Sequence, residues 1–282
     1  MIYLSVSEDD QIRTRVILQT CIQDVSDWMS CNFLLLNVSK TEFVSMSSRR
    51  FSQDSCPLSS IAIGEELVSA SSSARNLGVL FDSQLSMETH ISIICRSAYS
   101  HLRNINRIRK SLSQSDTEKL VHAFISSRLD SCNSLLSGLP VTKIKPLIRV
   151  QNAAARLVTR ARKYDHITDI FIKLHWLPVV QRINFKLLLL VYKSLYGFAP
   201  NYLCELIKFY VPSRSLRSES KFLIKTRQMS GKKSKVLYKD RAFENLGPKL
   251  FNELPLFVRS SPSVDIFKSR LKTHLFKCAF NI

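Results

Sequence analysis

The chain has 282 residues, 45% of them apolar and 22% charged, which is enough for a buried core in one or two domains and excludes a disordered polyelectrolyte. Its seven cysteines form no C-x-x-C pair and are odd in number, and its six histidines are scattered, so neither a disulfide framework nor a Cys/His metal site is expected. The net charge of +19 is divided unevenly: residues 1–100 carry 7 Lys/Arg against 11 Asp/Glu, and residues 101–282 carry 34 against 11.

A net +23 over the C-terminal two thirds points to a polyanionic partner, nucleic acid first and an anionic membrane surface second. No apolar run reaches membrane-spanning length; the longest, Leu187–Tyr192, is bracketed by Lys186 and Lys193. The cysteines read as buried thiols of a reducing compartment, so an intracellular location, cytoplasmic or nuclear, is expected.

In chain order, Ser7-Glu8-Asp9-Asp10 reads as a helix start, with Leu18, Ile22, Val25 and Met29 recurring at helical spacing behind it. Asp9-Asp10 also looks like a polymerase carboxylate pair, but acids suit a helix N-terminus, and that reading is preferred. A strand is expected over Glu42–Met46, a hairpin turning near Gly64-Glu65, and one further strand through the segment from Ala74 to Asp82. These first 85 residues hold too little sheet for an independent α/β domain.

From Ser86 the pattern is helical. Over Met87–Lys110 an apolar stripe runs through Ile91, Ile94, Ala98, Leu102, Ile105 and Ile108. Opposite it, Arg96, Arg103, Arg107 and Lys110 recur at +0, +7, +11 and +14, within about 60° of one another. A capping box Ser115-x-x-Glu118 opens a second helix. A third, Ile144–Lys163, buries Leu147, Ala154, Val158 and Ala161 and repeats the cationic spacing with Arg149, Arg156, Arg160 and Lys163. Two such ridges suit a phosphate backbone, because each Lys or Arg neutralises a phosphate and releases a counterion; the alternative is the plain solvent face of a basic bundle.

Ile183–Tyr196 is apolar nearly all round, so it belongs at the centre of a bundle, and Gly197 stops it. Arg214–Arg241 carries ten Lys/Arg and two acids, with Phe222 and Ile224 alternating before the Ser230–Lys235 tip and Val236 and Tyr238 after it, the pattern of a basic β-hairpin. A last helix is expected with Ser261 as cap and Val264, Phe267, Leu271 and Leu275 inward. No Gly-rich phosphate loop, G-x-S-x-G or H-E-x-x-H occurs.

The motifs "WMSCNFLLLNVSKTEF", "LGVLFDSQLSMETHI", "VQNAAARLVTR", "LHWLPVVQRINFKLLLLVYKSL" and "DRAFENLGPKLFNELP" come in an order that resembles the C-terminal part of a non-LTR (LINE-type, jockey-like) retrotransposon reverse transcriptase. A departure is Ser131, where such proteins show an aromatic before Cys-Asn. The resemblance implies an α+β, mostly α chain. Residues 1–85 would be a truncated palm remnant, a helix plus short antiparallel strands. A helical thumb-like bundle over 86–200 and a basic C-terminal region with a small hairpin over 201–282 would follow.

The resemblance further implies that Lys40 helps neutralise a pyrophosphate leaving group and that Leu77, Gly78 and Val79 fall on a primer grip. It implies that the family's aromatic-x-Asp-Asp turn would lie just before Ile2, so no catalytic or metal set is complete in this chain, and Mg²⁺ is expected only for an intact polymerase. Binding to an RNA or DNA backbone, RNA–DNA hybrid included, and no membrane partner are the resulting expectations. The alternative is a non-catalytic structural or interaction protein.

Overall fold

The computed structural model describes residues 2, 4, 11–46, 59–64, 66–211, 222–226 and 240–282. They form two compact units, 1–90 and 91–282. The helix-start tetrad at 7–10 and most of the expected basic hairpin, including its Ser230–Lys235 tip, lie outside the described residues.

In the first unit, α1 (Gln11–Cys31) packs against strand β1 (Ser60–Ile63). Ile61 and Ile63 alternate inward from β1 and are buried. Leu18, Ile22 and Met29 of α1 are half-buried, but Val25, placed on the same stripe, is exposed. β1 pairs antiparallel with β2 (Glu66–Ser69) as expected, the turn falling at Gly64 with φ +60°.

Two expectations need correction. The segment from Ala74 to Asp82 is not one strand but a hairpin, β3 (Ser73–Asn76) and β4 (Val79–Asp82), with Asn76 opposite Val79. Leu77 and Gly78 are its two-residue turn, both left-handed (φ 47° and 85°), the conformation that matches the right-handed twist of paired strands. The strand over Glu42–Met46 is reduced to one isolated bridge between Phe43 and Ala70. Side chains take over the bonding there: the Ser71 hydroxyl donates to the Phe43 carbonyl, and the Glu42 carboxylate accepts from the Arg75 amide at 2.8 Å.

Asp82 closes this unit as a cap. Its carboxylate accepts from the amides of Ser86 and Met87, both at 2.7 Å, at the start of α2 (Glu88–Ile108).

The second unit is helical. After α2 come α3 (Gln114–Val121), α4 (Ser127–Asp130), α5 (Val141–Thr159), α6 (Ile167–Leu174), α7 (Val179–Leu195), α8 (Asn201–Cys204), α9 (Phe243–Asn252), α10 (Leu256–Arg259) and α11 (Val264–Phe280). The cap of α3 is Ser113, whose hydroxyl accepts from the Asp116 amide, and not Ser115 with Glu118. Glu118 is engaged elsewhere: its Oε1 accepts from the Trp176 indole at 3.0 Å. α6 has no counterpart in the sequence reading. α11 is capped by Ser263 and not Ser261, which is buried and whose carbonyl accepts from the Tyr192 hydroxyl at 2.6 Å.

α7 is the centre of this unit, packing against α5, α9 and α11. Its Leu188, Val191 and Tyr192 join Phe251, Phe267, Leu271 and Leu275 in one buried cluster, with the Tyr192 and Phe267 rings stacked 4.1 Å apart. α9 approaches closely at Gly247, where a Cβ would lie 2.7 Å from Val191 Cγ2. Gly197 stops α7 as expected, the Phe198 amide reaching back to the Lys193 carbonyl. Two polar ties fix the frame. Buried Gln151 of α5 donates to the Leu177 carbonyl (2.8 Å) and accepts from the Val179 amide (2.9 Å), and the Arg182 guanidinium grips the Asp130 carboxylate with two hydrogen bonds.

Ile224 and Phe209 form an isolated antiparallel bridge, and the Asn252 amide brackets the Ile224 backbone with two bonds of 2.9 Å. Among the described residues the cysteines are free thiols, but only Cys95 is buried; Cys31, Cys132 and Cys278 are exposed, against the expectation. Also among the described residues, no single helix is long and apolar enough to cross a membrane.

Candidate nucleic-acid interface

The apolar stripe of α2 ends differently from the sequence reading, and the site is built on that difference. Ala98, Leu102 and Ile105 are buried, but Ile108 is exposed and the next inward position is taken by Arg109, which is 7% exposed. Arg109 lies four residues after Ile105 and seven after Leu102, so it continues the buried face. Its guanidinium donates to three carbonyls: Leu157 (2.9 Å), Leu112 (2.8 Å) and Val158 (2.8 Å). Two of these belong to the last turn of α5, where carbonyls run out of intrahelical donors. A cation there also suits the negative end of the helix dipole. Burial, and then the neighbouring Arg160, hold its pKa below the ordinary arginine value.

This tie places the end of α5 beside the end of α2, and a cleft of about 900 Å³ opens between them. Arg103 and Arg109 line it from the α2 side, and Arg149, Arg156, Arg160 and Lys163 from the α5 side. None of the residues lining it is acidic. Six cations around one concave volume focus a positive potential that no single helix face would give.

The eight cations singled out in the sequence are all on the surface or half-buried, but they divide into two groups. Arg103, Arg149, Arg156, Arg160 and Lys163 come together in the cleft, whereas Arg96, Arg107 and Lys110 do not line it. Neither ridge is a continuous helical row. α2 ends at Ile108, which puts Lys110 in a following 3₁₀ turn, and α5 ends at Thr159. Arg160 is the left-handed residue after α5 (φ 55°), and the Ala161 amide turns back to the Arg156 carbonyl at 3.2 Å.

The cleft cations also differ in what holds them. Arg156 donates to the Arg162 and Asp165 carbonyls, and Arg160 to the Arg109 carbonyl, so both staple the chain around the cleft. Arg103 and Arg149 are exposed and make no hydrogen bond or ion pair among the described residues. Sequence reasoning missed Arg109, Tyr99 and Asn152, all on the cleft wall. A signal for Arg109 existed: an arginine at a position that continues a buried stripe has to find acceptors.

Lys40 is the last residue of an exposed 3₁₀ turn, Val38–Lys40, whose first residue is preceded by Asn37 as cap. Leu77 and Gly78 form the β3–β4 turn; Leu77 is almost wholly exposed, whereas Val79 is buried. Among the described residues, no group of three or more His, Cys, Asp or Glu side chains is arranged to hold a metal ion. Comparisons with models of protein families, with curated proteins and with solved structures gave no match.

Proposed function

We propose that this protein binds the phosphate backbone of nucleic acid in the cleft between the ends of α2 and α5. The observation that carries the reading is the lining itself, six cations and no carboxylate around about 900 Å³. Phosphate contacts position a protein on a nucleic acid without reading sequence, and a cleft whose charged residues are five Arg and one Lys, with no acid, suits that task. The resemblance to the region following the catalytic turn of a non-LTR retrotransposon reverse transcriptase is in line with the same reading, because it implies binding to an RNA or DNA backbone. The proposal assigns binding, and no nucleotidyl transfer, to these residues.

The test compares two double variants. Arg103→Gln/Arg149→Gln removes the two cleft cations that hold nothing else, so the fold is expected to survive. Lys272→Gln/Lys277→Gln removes the same charge from the exposed face of α11, away from the cleft. The cleft pair is expected to weaken binding of mixed-sequence oligonucleotides of every sequence alike, and the α11 pair to do much less. Equal losses from the two pairs would mean a diffuse basic surface and refute the cleft.

A further inference from the structure

An uncharged residue on the wall of the cleft speaks to the form of nucleic acid it takes. Tyr99 lines the same cleft, is 41% exposed, and stacks on no other ring among the described residues.

We infer that the occupant of the cleft is a single-stranded segment of nucleic acid, its phosphates on Arg103 and Arg149 and a base stacked on Tyr99. The inference rests on the phosphate-binding reading and adds the strandedness of the ligand and the stacking residue. A free aromatic face beside a cationic groove is the arrangement that binds single strands with little sequence preference, since every base has a π-face. The two kinds of residue then have separate tasks: the arginines hold the backbone, and Tyr99 tells an unpaired base from a stacked duplex.

The experiment uses the full chain and four probes at one salt concentration: a mixed-sequence single-stranded RNA, the DNA strand of the same sequence, the blunt duplex made from that DNA strand, and inorganic polyphosphate. Either single strand is expected to bind more tightly than the duplex. Tyr99→Ala is expected to weaken the single strands about tenfold or more, and Tyr99→Phe, which keeps the ring, to stay close to the parent. Polyphosphate, which has no bases, is expected to ignore both substitutions but to be lost with Arg103→Gln/Arg149→Gln. Duplex binding as tight as single-strand binding, or single strands indifferent to Tyr99→Ala, would overturn the inference while leaving phosphate binding in place. Failure of all four probes to bind the parent protein would overturn the phosphate-binding reading as well. The comparison of probes on the unaltered chain does not depend on any variant folding.

Discussion

Arg109 builds the cleft, so its removal gives the sharpest structural prediction. Replacement by Met keeps most of the buried stem and deletes three donors, leaving the Leu112, Leu157 and Val158 carbonyls without the guanidinium. Hydrogen bonds from a charged group contribute about 1.5–3 kcal/mol each, which sets an upper figure of several kcal/mol for the three. Two effects reduce it. Water entering from the cleft can reach part of the freed carbonyl surface, and loss of the charge relieves repulsion with Arg160, an effect of about 1 kcal/mol or less at cleft dielectric. The lost bonds outweigh the relieved repulsion, and Arg109→Met is expected to destabilise the second unit by about 3–5 kcal/mol.

Arg109→Lys keeps the charge but not the planar fork, so it recovers part of the loss and not all of it. The assay is urea unfolding followed by the fluorescence of Trp176, which is buried in this unit, in a Trp28→Phe background that silences the first unit. A loss below about 1 kcal/mol for Arg109→Met, or Lys and Met variants of equal stability, would refute the role given to the three bonds.

Gln151→Leu should cost the second unit about 2–4 kcal/mol in the same assay, because it strands the buried Leu177 carbonyl and Val179 amide at the start of α7. His90 gives a pH prediction for the first unit. Burial, and then the positive charge of Arg75, hold its pKa below the ordinary 6.5. The folded state therefore binds its proton less readily than the unfolded state. Stability from this group is full above pH 6.5 and falls as the pH drops from there towards the lowered folded value. Thermal melting of the unit read at Trp28 should follow that trend, and His90→Asn should flatten it; a melting temperature that rises on acidification through this window would be contrary.

The sequence carried the periodic parts of this structure. The stripes of α2, α5 and α11 and the central place of α7 were legible because buried apolar residues must recur at 3.6-residue spacing whatever surrounds them. The β1–β2 hairpin was legible from Gly64. The β3–β4 turn was not, since Leu77 occupies a left-handed position that sequence rules reserve for Gly, Asn or Asp. Two caps were misassigned for one reason: Ser113 and Ser115 both stand near an acid, as Ser261 and Ser263 both precede the same helix, and only the backbone decides which hydroxyl reaches an amide.

The site was legible in part. Even spacing on two helices identified the arginines. It could not show that α5 stops at Thr159, that Arg156 and Arg160 turn to backbone carbonyls, or that Arg109 ties the two helix ends together. The Arg109 and Arg160 ties join residues about fifty positions apart, which no local pattern records, and the Arg156 bonds depend on how the chain turns after α5.

Binding of a mixed-sequence single-stranded oligonucleotide as a function of salt tests the central claim most directly. If the cleft cations meet phosphates, log K falls linearly with log salt by about 0.7 per phosphate neutralised on a single strand, and Arg103→Gln/Arg149→Gln lowers the slope by about 1.4 with every sequence affected alike. A slope that the double variant leaves unchanged, or binding that is insensitive to salt, would contradict it.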